Sequence, residues 1–245
     1  MNTLKVLLSP SKTQNLRPTL FKDSPPVTSV KFKEQTNLLL QQIKKYDKTS
    51  LGERLHIKGK ILDETYALYQ KWDSKATNHA ICLYSGLVFK GLTLSQYSKS
   101  QLQYISDHLC VLSAFYGVLS PFDVVRPYRL DMKSNVFAST SYEYWEDAVN
   151  NFFTGQDILI NLASEEFSKL ITKPMVDIQF KCVSEAGELI TKSTHAKMAR
   201  GQMAHYIITH ELKRVEALKK FQWNGYKYSE KESSPSRYVF VNWSE

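Results

Sequence analysis

Apolar positions along this chain alternate between short continuous runs and a spacing of three or four residues. Leu4-Lys5-Val6-Leu7-Leu8 is a short apolar run ended by Ser9-Pro10, which predicts a buried strand feeding a loop. The stretch 14–29 carries Pro18, Pro25 and Pro26 and reads as an irregular crossing. Between Lys33 and Tyr46, Leu39, Leu40 and Ile43 stand among helix-forming Gln and Lys, the pattern of an amphipathic helix. Thr49 or Ser50 is placed to cap a short helix, and 61–72 predicts another that buries Leu62, Tyr66 and Tyr69. The run 80–84 reads as a buried strand, and 100–109 as a helix.

In the second half, 111–119 predicts a strand and a bend punctuated by Gly117. Helix is expected over 142–153 and strand over 157–162, with Ser164 placed to cap a helix over 165–171. Residues 175–183 alternate in part, as a half-buried strand would. Ala196, Ala199, Met203, Tyr206 and His210 recur every three or four positions, which predicts a long helix over 195–212. The β-branched and aromatic run 237–243 predicts a last strand, and 229–236 a mobile surface loop. Strands interleaved with helices, with no repeat and no boundary, predict a single mixed α/β domain over 1–245.

Composition narrows the class. The 245 residues are 42% hydrophobic and 23% charged, which is globular rather than disordered. Three cysteines, Cys82, Cys110 and Cys182, lack paired spacing and fit a reduced, cytoplasmic protein. Cys82 and Cys110 lie in apolar runs, so both are expected to be buried hydrophobes and not peroxide sensors. No run approaches the ~18 apolar residues of a membrane span, and the first apolar stretch is too short for a signal peptide. Secreted, membrane and fibrous classes are excluded. With 32 Lys and Arg against 24 Asp and Glu, the net charge of +8 points to an anionic partner or merely to solubility.

Several devices are absent: no P-loop, no Gly-x-Gly-x-x-Gly, no Gly-x-Ser-x-Gly elbow, and no Cys or His at zinc spacing. Neither a metal site nor a cofactor is expected. Four segments remain. Ser9-Pro10-Ser11-Lys12-Thr13 follows the first strand, where α/β sheets bind ligands, and equally fits an ordinary turn. Gly86 and Gly91 frame Lys90, as a close approach to a ligand or a simple turn would require. Arg126-Pro127-Tyr128-Arg129-Leu130-Asp131-Met132-Lys133 is stiff and basic. Its arginine forks match phosphate oxygens, or pair structurally with Asp123 or Asp131. Lys197 and Arg200 share one helix face beside Gly201, a residue that costs about 1 kcal/mol in a helix interior; the same face is also what plain solvation would produce.

In order and spacing, Leu8-Ser9-Pro10-Ser11-Lys12-Thr13, Tyr84-Ser85-Gly86 through Gly91-Leu92, the 112–123 run, Arg126-Pro127-Tyr128-Arg129, 161–167 and Ala199-Arg200-Gly201 resemble the YaaA-type bacterial peroxide-stress family. Ser11 stands where many members carry alanine. The resemblance implies a cytosolic protein that limits peroxide damage by keeping unincorporated iron low. It also implies a compact α/β domain with helices around a central, largely buried sheet, a basic cleft, and binding of duplex or branched DNA. A helix-hairpin-helix element would fall within 51–72, at Lys58, Gly59 and Lys60, with Lys60 in place of the usual second glycine. Two packed helices with a glycine turn fit the same residues.

Two functions follow as expectations. In the first, Lys12, Lys90, Arg126, Arg129, Lys133, Lys197 and Arg200 line one cleft and neutralise DNA phosphates without reading bases. In the second, an enzyme clamps a small phosphorylated or nucleotide-like substrate with the 9–13 loop, Arg126 and Arg129, near Tyr116, Tyr128 or Glu165. Shape separates them: a duplex needs an open groove of about 20 Å, whereas a metabolite fits a pocket of roughly 300–1,000 Å³.

Overall fold

The computed structural model describes residues 3–243 apart from 16–20, 22, 24, 27, 73–77 and 138, so Pro18 of the proline-bearing crossing lies outside the described residues. In chain order the strands are β1 (Leu4–Leu8), β2 (Asn78–His79), β3 (Leu109–Ser113), β4 (Gly117–Leu119), β5 (Val124–Val125) and β6 (Ile158–Asn161). They continue with β7 (Met175–Val183), β8 (Leu189–Ile190), β9 (Gln222–Trp223), β10 (Tyr226–Tyr228) and β11 (Arg237–Asn242). The helices are α1 (Lys33–Lys45), α2 (Lys48–Leu55), α3 (Gly59–Gln70), α4 (Ala80–Leu83) and α5 (Leu87–Lys90), then α6 (Lys99–His108), α7 (Ser141–Phe152), α8 (Glu165–Ser168) and α9 (Ser193–Thr209).

The main sheet runs β4-β3-β1-β6-β7-β11-β10-β9, with β8 paired to β7; β2 and β5 form a separate pair. Its five central strands, β3, β1, β6, β7 and β11, are parallel, and the outer members join them antiparallel. Strands covered on both faces read as continuous apolar runs, which is why β1 and β3 are visible in sequence. The expected mixed α/β domain with helices around a central sheet is the observed architecture.

Three local expectations are corrected. The 80–84 run is not a strand: Ala80–Leu83 forms the single turn α4, buried throughout. A fully buried apolar run of that length carries no periodicity to distinguish helix from strand. Helix α2 is capped by Asp47, which accepts from Ser50 N at 2.8 Å, and not by Thr49 or Ser50. In α3, Tyr69 is fully buried but Leu62 and Tyr66 only half so. The 229–236 loop is hydrogen-bonded back onto β11: Ser229 N donates to Val239 O at 2.9 Å and Val239 N to Ser233 Oγ at 2.9 Å.

Candidate functional site

After β1 the main-sheet path turns toward β3, whereas after β6, on the other side of β1, it turns toward β7. Loops leaving these two adjacent parallel strands therefore diverge, and the gap between them is the crevice in which α/β sheets bind ligands. A cavity of about 390 Å³ occupies it, walled by the 9–14 loop, the 162–167 loop, residues 86–89, residues 128–131 and one face of α9. The two loops are tied together at its floor. Ser164 N donates to Ser9 Oγ at 2.7 Å, and the two hydroxyls lie 3.0 Å apart.

Glycines set the α5 wall. A Cβ on Gly201 would lie 2.3 Å from Val88 O, and one on Gly91 would lie 2.7 Å from the Gly201 carbonyl carbon. The helix-interior glycine thus lets α5 and α9 meet backbone to backbone, which brings Lys197 and Arg200 to the cavity. Similarly, a Cβ on Gly86 would meet Ser11 Oγ at 2.6 Å.

The basic segment is held by tyrosines. Tyr69 Oη donates to Arg129 O at 2.9 Å and accepts from Arg129 N at 3.2 Å. Tyr116 Oη donates to Arg126 O at 3.2 Å and accepts from Arg126 N at 3.1 Å. A backbone without a sheet partner still needs its polar groups paired, and each phenol satisfies both groups of one arginine. Tyr128, at the cavity, accepts from Ser113 Oγ at 2.8 Å and lies 3.1 Å from Tyr84 Oη; burial pushes its phenol up to about 12.

Of the residues singled out in sequence, Lys12, Arg129, Lys197 and Arg200 line this cavity; Lys90, Arg126 and Lys133 do not. Arg126 stacks its guanidinium over Trp72, 5.3 Å from the ring centroid. Lys90 ends α5, and Lys133 lies exposed in a turn. Asp131, weighed as an arginine partner, pairs with Lys12 at 2.8 Å. Glu165 points outward to Lys169 at 2.9 Å, and its neighbour Glu166 lines the cavity instead. Tyr116 is spent on the Arg126 backbone. Burial holds the Arg200 guanidinium below its ordinary pKa, opposed by the nearby Asp177 charge. Its Nε is buried and has no hydrogen-bond partner among the described residues.

The α2–α3 turn stands apart from the cavity. Lys58, Gly59 and Lys60 are exposed, and Gly59 has φ +58° with open space where a Cβ would be. Among the described residues, no cluster of three or more His, Cys, Asp or Glu is placed to hold a metal ion, and no helix is long and apolar enough to cross a membrane.

Fold and site define an α/β protein with a cation-lined cavity at the switch point of a mixed, largely parallel sheet. Residues 4–232 match the family model described as peroxide stress protein YaaA. Similar chains include the UPF0246 protein of Finegoldia magna, 34% identical over 245 residues, covering 97% of this chain and 98% of that one. The UPF0246 proteins of Fusobacterium nucleatum and Agathobacter rectalis are 32% and 35% identical with the same coverage. This chain belongs to the YaaA peroxide-stress family.

Proposed function

We propose that the chain works in the cytosol to keep unincorporated iron low under peroxide, the role its family resemblance implies, and that its working site is the switch-point cavity, holding a small phosphorylated or nucleotide-like molecule. The observation that carries the reading is the convergence of Lys12, Arg129, Lys197 and Arg200, from three separated segments, on one cavity. At about 390 Å³ the cavity is metabolite-sized, and a duplex of about 20 Å girth does not enter it. Parallel calorimetric titration of the wild-type protein with labelled duplex and with a panel of small phosphorylated molecules tests this. Saturable one-to-one binding of at least one small molecule, persisting at 300 mM salt, is expected; binding of duplex alone would overturn it.

A second reading places DNA on the outer surface, at the α2–α3 turn. It is favoured by the left-handed Gly59 and the exposed Lys58 and Lys60 beside the start of α3. Lys58→Ala/Lys60→Ala is then expected to flatten the log affinity against log salt slope for duplex by about 0.9 per lost phosphate contact. An unchanged slope and affinity would remove this reading.

A further inference from the structure

We infer that the ligand of the cavity is a phosphomonoester with a flat, apolar body, the chemistry of a nucleoside monophosphate, and that its phosphate rests against Arg200 and Ser164. The inference rests on the reading of the cavity proposed above.

Three observations locate the phosphate. Arg200 lines the cavity with a buried Nε that has no partner among the described residues. Asp177, the carboxylate whose charge acts on it, already accepts from Asn161 Nδ2 on one oxygen and Gln179 Nε2 on the other, both at 2.8 Å. A buried donor on a cation is costly to leave unmade, and an incoming anion relieves that cost. Ser164 supplies the second contact. It occupies the cap position of α8, yet its side chain makes no cap hydrogen bond. Its hydroxyl lies instead 3.0 Å from Ser9 Oγ. Either hydroxyl can donate to the other, and since the pair holds two protons and uses one between them, one serine proton is left for an anion in the cavity that both residues line.

Charge sets the ligand's valence. Lys12 is matched by Asp131, so among the lining residues Arg129, Lys197 and Arg200 outweigh Glu166 by two positive charges, an excess that the nearby Asp177 reduces at Arg200. A phosphomonoester carries about −1.5 to −2 at pH 7 and balances this; a triphosphate overshoots it. Beside the polar residues of the 9–14 loop, Leu87, Val88, Phe89, Leu130 and Phe167 give the wall an apolar part that accepts a ring face, which glucose 6-phosphate lacks.

The test is calorimetric titration with the four common nucleoside 5′-monophosphates, their nucleosides, their triphosphates and glucose 6-phosphate. At least one monophosphate is expected to bind tenfold or more tightly than its nucleoside, its triphosphate and glucose 6-phosphate. Arg200→Gln is expected to weaken it tenfold or more and Ser164→Ala three- to tenfold, each with a wild-type circular dichroism spectrum. Should Arg200→Gln fail to fold, Ser164→Ala decides the matter alone. Tighter binding of a triphosphate or sugar phosphate, or wild-type affinity in these variants, would overturn the inference while leaving a small-anion cavity standing. Binding of no phosphorylated molecule would overturn both.

Discussion

Gly201 sits inside α9, where alanine would ordinarily improve the helix by about 1 kcal/mol. Here the added Cβ would lie 2.3 Å from the Val88 carbonyl oxygen, a backbone atom with no side-chain freedom to yield. Overpacking of this kind costs about 1–3 kcal/mol, so Gly201→Ala is expected to lower the urea midpoint despite its better propensity. A midpoint at or above wild type would show that α5 moves aside freely. The cysteines offer a second test at this scale. All three are buried, and burial pushes the Cys110 thiol up to about 12. Since the thiolate is the reactive form, native protein at pH 8 is expected to react with a thiol reagent only as fast as it unfolds. Rapid stoichiometric labelling would contradict the packing described.

Among the elements, the 126–131 segment shows most clearly how core and site are joined. Tyr69 and Tyr116 each satisfy the backbone of one arginine, but only Arg129 of that pair lines the cavity. Removing either hydroxyl leaves part-buried backbone groups unpaired, at about 1–3 kcal/mol where water does not replace it. Tyr69→Phe and Tyr116→Phe are therefore expected to lose similar stability in urea, while only Tyr69→Phe weakens small-ligand binding. Equal effects on binding would detach Tyr69 from the site. The sequence carries part of this. Strands β1, β3, β6 and β11 are legible because burial on both faces leaves apolar runs, and β7 because its burial alternates. The β9–β10 hairpin was legible and missed: Asn224-Gly225, with φ 46° and 80°, is the dipeptide that two-residue hairpins demand. The four site segments stand out by composition, but their convergence does not. Pro127 biases Arg126 toward extended backbone, where positions three apart face opposite sides, so Arg126 and Arg129 need not share a site. Nor does spacing reveal that Asp131 turns to Lys12, or that Glu166 and not Glu165 faces inward; both depend on how loops from distant strands meet.

At the scale of the whole molecule, buried phenols set an alkaline limit. Tyr97 and Tyr128 are held up to about 12 by burial, against an ordinary value of 10. Between those values the folded state keeps protons that the unfolded chain has lost. Stability is therefore untouched by these groups below pH 10 and falls as pH rises from 10 toward 12. Urea midpoints measured from pH 8 to 11 should be flat and then decline, with tyrosinate absorbance lagging behind that of the unfolded chain. A flat profile throughout would mean that these hydroxyls are solvated.

Whether the cations work at a cavity or along an open groove is decided most directly by one double variant. Arg129→Ala/Lys197→Ala removes two cavity cations from separate elements and leaves the α2–α3 turn untouched. At about 1.5–3 kcal/mol for each hydrogen bond to a charged group, small-ligand affinity is expected to fall at least a hundredfold. The salt slope for duplex DNA should stay at its wild-type value. A folded double variant that kept its small-ligand affinity while the duplex slope flattened by about 0.9 for each lost contact would contradict the cavity and return these residues to a DNA groove.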